Sequence, residues 1–448
     1  METARRFAYI EPFEICSIRP PTENYSLTFR VSRNCAWNRC LFCPVYKLGA
    51  RFSKRPLEEV KRDIDRAAIL DEVVRERVSG IAGSIEGGYT QAERLIREIE
   101  SAKGRSTPEG EDLEALGSKA TSIPQSLTVQ QRSAEEDDDD ERLVWFASWF
   151  KEKPSITDSV YHLLAWRQSG ARTCFLGDAN LLLLSGDYVS EVLSHIRCRF
   201  PTLERFTAYG RTQSAARKDV EELALFARAG LNRIHFGVES GSDRVLRYMK
   251  KGVTASQHIE ACRKTREAGI SCSVYVMPGL GGASLSEEHA IETARVLTEG
   301  GPDFVRLRSL EIFPRTGLAA AKATGEFVEA SEEQVAREMR ALIENTKCAI
   351  TVVSDSASNL LDVNGRLPED RARMLATIDE YLSLSPRDKL VFSLHARLQS
   401  FIGQYGGVTE DILNLLRPHL HGGGIDPESM SDYELERATR FIRSKLMP

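Results

Sequence analysis

From residue 170 to about residue 314 the chain repeats one pattern. A stretch with apolar residues at helical spacing ends in glycine, and a short run rich in β-branched and aromatic residues follows. "WRQSG" precedes "ARTCFLGD", "FARAG" precedes "LNRIHFGVES", "TREAG" precedes "ISCSVYVMPG", and "LTEGG" precedes "PDFVRLRSLEIF". Gly170, Gly230, Gly269 and Gly301 stand where a helix C-cap wants a positive φ. Two more runs, "SLTFRVSR" at 26–33 and "RFTAYG" at 205–210, bring the expected strands to six. The runs are read as apolar on both faces, as in a parallel sheet covered by helices. Strands alternating with helices imply βαβ units. The expected fold is α/β, a partial (β/α)6 TIM-like barrel with a mainly helical C-terminal region.

That last region covers 316–448. "EEQVAREMRALIENTK" and "PEDRARMLATIDEYLSL" are its clearest amphipathic segments. Between them lies the polar stretch 352–370, which either caps a helix or carries Ser354, Asp355 and Asn359 towards the site.

Charge divides the chain further. The net charge is −5 over 448 residues. Residues 104–141 hold eleven acids and three bases, a balance of −8 that leaves about +3 for the rest. This stretch, which includes "EEDDDDE", is expected to be a disordered surface insertion. The expected division is an N-terminal extension at 1–25, a barrel at 26–315 and the helical region at 316–448. The absence of a basic block argues against a nucleic-acid partner. No stretch approaches the roughly 18 apolar residues of a membrane helix. The start, "METARRFAYIEPFEI", lacks the apolar core of a secretory signal. The expectation is a soluble, cytoplasmic protein with no membrane contact.

The nine cysteines are scattered and odd in number. Cys174, Cys198, Cys262, Cys272 and Cys348 have apolar neighbours and read as buried free thiols. Cys16 stands alone and could go either way. "SRNCAWNRCLFCPVYK", at 32–47, places Cys35, Cys40 and Cys43 within nine residues. In parallel α/β folds ligands lie at the C-terminal ends of strands. The triplet follows the first expected strand, and the other unusual residues sit at such ends too: Gly177 and Asp178, Tyr209 to Arg211, Glu239 and Ser240, Met277 to Gly279. Structural zinc needs four closed ligands, and the first histidine is distant His162. A dithiol centre would use Cys40 and Cys43 and leave Cys35 idle. An iron–sulfur cluster on three thiolates suits the set better, with Trp37 and Phe42 as apolar cover and one iron left open.

With these motifs, residues 26–314 outside the acidic insertion resemble the radical S-adenosylmethionine (SAM) family. The family spacing is Cys-x3-Cys-x2-Cys with an aromatic before the last cysteine. Here the second gap and Phe42 match, while the first gap is one residue longer. The resemblance implies a [4Fe–4S] cluster on Cys35, Cys40 and Cys43, and reductive cleavage of SAM to a 5′-deoxyadenosyl radical. It also implies oxygen sensitivity and a flavodoxin- or ferredoxin-like electron donor. Gly177 and Asp178 in "FLGDAN" stand for the family segment that binds the SAM amino group. In "HFGVESGSDRVLRYMKKGVT", Glu239 and Ser240 fall where the ribose or methionine is met, and Lys251 where the SAM carboxylate is met. Val276 and Met277 in "VYVMPGLGG" correspond to the adenine side. Tyr209 and Arg211 face the expected site as SAM or substrate contacts. The glycine turn after Met277 lacks the Lys-Ser/Thr of a P-loop, which argues against a nucleoside triphosphate. The substrate, a small molecule or peptide, is not written in the chain. The rival readings are a coproporphyrinogen oxidase-like tetrapyrrole- or haem-handling protein and a non-catalytic iron–sulfur or metal-binding protein.

Overall fold

The computed structural model describes residues 6–47, 51–78, 85–104, 153–422 and 424–446, with Arg142 and Val144. The acidic insertion lies outside the described residues, apart from Gly104. Strand β1 (Leu27–Arg30) leads into β2 (Ser32–Arg33), which pairs antiparallel with β3 (Ser53–Lys54). The main sheet continues from β1 through β4 (Thr173–Gly177), β5 (Arg205–Gly210), β6 (Arg233–Glu239), β7 (Ser271–Val276) and β8 (Phe304–Leu307), then β9 (Ile350–Val353) and β10 (Gly365–Leu367). Neighbours run parallel except β10, which is antiparallel to β9. The fold is therefore α/β with a parallel sheet, and all six expected strands are present.

The region expected to be helical also contributes strands β9 and β10. "ITVV" at β9 is short and flanked by strongly amphipathic helices, so its own pattern is weak. It forms because the edge of β8 offers ladder partners, with Phe304 opposite Thr351 and Val305 opposite Val352. The expected amphipathic helices are Glu332–Asn345 and Arg371–Ser383. All four cap glycines have positive φ, from 56° at Gly301 to 103° at Gly230.

The strands present two unlike faces. Leu176, Phe206, Phe236, Val274 and Leu307 point outward into the core shared with the helices. The alternate positions, Thr207, Tyr209, His235, Ser273, Tyr275 and Arg306, lie on the opposite face and belong to no apolar cluster. This corrects the expectation of strands apolar on both faces: helices cover one side, and the other is polar. The curvature is measurable. Tyr209 on β5 and Tyr275 on β7 have β6 between them, so a flat sheet would hold their strands roughly 9.5 Å apart. Their ring centroids are 6.4 Å apart, so the sheet is concave on the polar side.

The N-terminal segment crosses that concave face. A Cβ on Gly177 would stand 2.1 Å from Cys16 Sγ, so only glycine admits the segment here. Further along, Glu23 is fully buried and accepts from Arg205 Nη2 at 3.0 Å. At the other end of the chain, helices Pro386–Tyr405, Glu410–Leu416 and Asp432–Ser444 enclose their own apolar cluster around Leu394, Ile412 and Leu435. Arg443 ties this unit to the loop after β8 by donating to Glu311 Oε1 at 2.6 Å. No helix among the described residues is long and apolar enough to cross a membrane.

Candidate functional site

The cysteine loop leaves the sheet at the C-terminal end of β1 and is fixed there by Asp178. This carboxylate is buried. It accepts from Arg30 Nε at 3.0 Å and Arg30 Nη2 at 2.6 Å, and from the backbone N–H of Asn34 at 2.8 Å. The Cys16 thiol is a fourth partner at 3.3 Å. Asn34 has φ +67° and its Oδ1 accepts from the Cys35 N–H at 2.5 Å. The first ligand candidate therefore hangs from a charge-assisted anchor.

A second anchor is the segment after helix Asp243–Tyr248. Trp37 Nε1 donates to the Lys250 carbonyl at 2.8 Å, and the Leu41 N–H donates to that of Met249 at 3.0 Å. The Trp37 ring rests on Gly252, where a Cβ would meet it at 2.1 Å. Arg211 covers the same indole at 4.8 Å and donates to the Lys251 carbonyl at 2.7 Å. Phe42 is buried with Val245, Met249, Leu280, Leu310 and Leu318. The loop thus has an apolar floor and a cation-covered rim.

Charge converges on the same place. Register shifts between Gly237 and Glu239, where β6 bulges, and Glu239 has φ +64°. The Glu239 side chain folds back over Gly237 and pairs with Lys251 Nζ at 2.8 Å. Burial alone would pull the Lys251 ammonium down, but Glu239 and Cys40 together raise it above its ordinary value. Burial raises the Cys40 thiol against the pull of Lys251 and Arg211. The Cys43 thiol is pushed up to about 11, by burial first and by Cys40 next. The three thiols are half-buried, free and within electrostatic reach of one another. Among the described residues no three His, Cys, Asp or Glu side chains already stand as a metal-holding group. In donor chemistry the loop still fits an iron–sulfur cluster: three thiols, cations to balance thiolate charge, and apolar cover.

The expected site residues divide accordingly. Cys35, Cys40, Cys43, Arg211, Glu239 and Lys251 come together. Tyr209 lies lower, on the concave face, with its ring 5.2 Å from that of Phe175. Gly177 borders the N-terminal segment. Met277 is half-buried beside the Phe42 cluster. Three of the expected residues are engaged elsewhere in this structure. Asp178, the expected partner of the SAM ammonium, accepts from Arg30 and Asn34 and so anchors the loop. Ser240 is fully buried, and its hydroxyl bonds His289 Nδ1 at 2.7 Å and accepts from the Ser242 N–H, away from the loop. The Val276 side chain packs outward in the helix-facing core. Arg30 and Gly252 were missed. The "MKKG" turn at residues 249–252 signalled the glycine, whereas nothing local links Arg30 to Asp178.

The family model described as "Radical SAM superfamily" matches residues 162–294. Residues 162–294 therefore match a radical SAM domain. The chain is 32% identical over 92 residues to a tRNA-2-methylthio-N(6)-dimethylallyladenosine synthase of Bifidobacterium adolescentis, covering 20% of this chain and 19% of the relative. It is 24% identical over 115 residues to a tRNA uridine(34) acetyltransferase of Methanocaldococcus infernus, covering 25% and 22%. The chain thus spans about a fifth of the length of these curated relatives. Among solved structures, the coproporphyrinogen III oxidase of Escherichia coli, described as a radical SAM enzyme, aligns with 72% of this chain and 86% of its own. The identity there is 14% and the TM-score 0.30, too loose to bear on activity.

Proposed function

We propose that the protein is a radical SAM enzyme in which a [4Fe–4S] cluster and SAM, when bound, supply a 5′-deoxyadenosyl radical that takes hydrogen from a substrate. The observation that carries this reading is the Cys35–Cys40–Cys43 loop, held at the C-terminal end of β1 beside the half-buried Glu239–Lys251 pair. Cys35, Cys40 and Cys43 would hold the iron. Asp178 and Arg30 fix the loop's entry, and Trp37 with Gly252 fixes its far side. Lys251 offers an ammonium for a carboxylate, and Glu239 a carboxylate for hydroxyl or ammonium groups. Arg211 keeps the Lys251 backbone in place. Phe42 and its neighbours exclude water from the thiol side.

Radical SAM enzymes need an electron donor, and a flavodoxin- or ferredoxin-like protein in a reducing cytoplasm suits this one. The substrate class is a small molecule or peptide. Two relatives are named for tRNA, which keeps a nucleic acid among the candidates.

Anaerobic reconstitution tests the reading. About four irons per chain are expected. Added SAM should change the electron paramagnetic resonance spectrum of the reduced protein. Replacing any of the three cysteines with alanine should remove the signal. A loaded cluster that ignores SAM would favour a non-catalytic carrier instead.

A further inference from the structure

The concave face of the sheet holds polar groups that the cysteine loop does not use. They come from adjacent strands: Thr207 and Tyr209 on β5, His235 on β6, Ser273 and Tyr275 on β7, and Arg306 on β8. The rings of Tyr209, His235 and Tyr275 form a triangle with centroids 6.2 to 6.4 Å apart. Thr207 Oγ1, Ser273 Oγ, Arg306 Nε and both nitrogens of His235 are buried without a hydrogen-bond partner, and the buried Tyr275 hydroxyl has only a loose approach to Tyr209. Each such group would be costly to leave bare in a packed interior.

The charge on this face is also unbalanced. Arg306 is buried and pairs with Asp355 at 2.8 Å. Arg308, just beyond β8, reaches Tyr209 and Tyr275 electrostatically and meets no carboxylate among the described residues. Arg19, on the crossing N-terminal segment, is within electrostatic reach of Tyr209. Its Nη1 donates only to the Cys16 carbonyl, and its Nε is buried and unpartnered. Each of these three guanidiniums is therefore within electrostatic reach of one or both tyrosines, and Asp355 is the carboxylate paired with one of them. Lower on the face, Arg205 is matched by Glu23. His235 is kept neutral, held well below its ordinary range by burial and then by Arg306, Arg233 and Arg205. Water could satisfy hydroxyls and imidazole, but it brings no charge to offset the half-buried guanidiniums of Arg19 and Arg308.

We infer that this face binds an anionic group, carboxylate or phosphate, of the molecule the enzyme acts on. Arg308, Arg306 and Arg19 hold its charge, and the Tyr275 hydroxyl donates to it. Asp355 shares Arg306 and sets how far that guanidinium can turn. Tyr275, Arg306 and Arg308 lie at the strand ends that also carry Glu239 and Met277, so a ligand anchored here extends towards the cysteine loop. That the bound molecule is the substrate rests on the radical SAM reading. The anion site itself does not.

The test uses the full-length protein without iron or SAM. Calorimetric titrations with sodium malonate and with inorganic phosphate, in chloride buffer, distinguish the two sources of charge, and glycerol is the neutral control. Saturable binding of at least one anion is expected, and the stronger arm names the group. Arg308→Gln should weaken it about tenfold or more. Tyr275→Phe, which removes a single hydroxyl, should weaken it severalfold and decides the matter if Arg308→Gln does not fold. Arg437→Gln, on the exposed face of the last helix, should bind as the wild type does. If neither anion binds, or if both variants bind like wild type, the inference is overturned. Because no cofactor is present, that result leaves SAM cleavage standing, and a failure of SAM cleavage leaves the binding result standing.

Discussion

Asp178→Ala separates an anchor from a cofactor contact. The substitution removes both acceptors of the Arg30 fork, at 3.0 and 2.6 Å, and the acceptor of the Asn34 N–H at 2.8 Å. Deleting one member of a buried ion pair costs about 3–5 kcal/mol, and a stranded backbone N–H costs about 1–3 kcal/mol more. Two features reduce the total. The Arg30 side chain keeps 19% of its surface, so water can reach it, and Glu14 Oε2 stays 3.7 Å from Arg30 Nη1. The expected loss is about 3–4 kcal/mol, read as a lower midpoint in urea unfolding of the apo-protein. Arg30→Met combined with Asp178→Leu should recover part of it, because no unpaired charge stays behind. Iron retained after anaerobic reconstitution should fall in Asp178→Ala, since Asn34 immediately precedes Cys35. The reasoning is refuted if Asp178→Ala unfolds within about 1 kcal/mol of wild type, holds its full iron, and needs only more SAM.

Gly252→Ala places a methyl 2.1 Å from the Trp37 ring at a φ of +70°, so it should displace the indole, shift its fluorescence and reduce iron loading. Lys251→Met leaves the Glu239 carboxylate half-buried without its partner; it should lower stability by about 3 kcal/mol and raise the SAM concentration needed for half-maximal turnover. His258, fully buried near Lys251 and Arg211, has its pKa pulled down to about 3, by burial first. A folded pKa below the unfolded one means that the unfolded chain binds the extra proton. Stability should therefore fall as pH drops from about 6.5 towards 3, by on the order of 1 kcal/mol per pH unit for this one group. In urea unfolding, His258→Leu should lose less than wild type between pH 7 and pH 5. Equal losses would contradict the assignment.

Much of the sheet was legible because its signals are local. Six β-rich runs each follow a glycine stop or stand alone, and the four cap glycines need nothing beyond their own φ. The polar face was equally local, since "SCSVYV" and "RIHFGVE" alternate, yet the large apolar residues at outward positions make such runs read as continuous core. The partners of Ser240 have a geometric cause that the sequence does not show. The bulge at Gly237–Glu239 shifts the alternation by one residue, turns Glu239 to the loop and sends Ser240 back to His289. The anchoring role of Asp178 was not legible because its partner Arg30 is 148 residues away, and one sequence does not show such a pairing. Strand β9 was missed because its support is the edge of β8 rather than its own four residues.

The most direct test of the radical SAM reading is 5′-deoxyadenosine formation by the reconstituted, dithionite-reduced protein with SAM under anaerobic conditions. Wild type should release it, and Cys43→Ala, which lacks one of the three thiols, should not. Iron-loaded wild type that releases none, or a Cys43→Ala protein that releases as much as wild type, would contradict the role given to the cysteine loop.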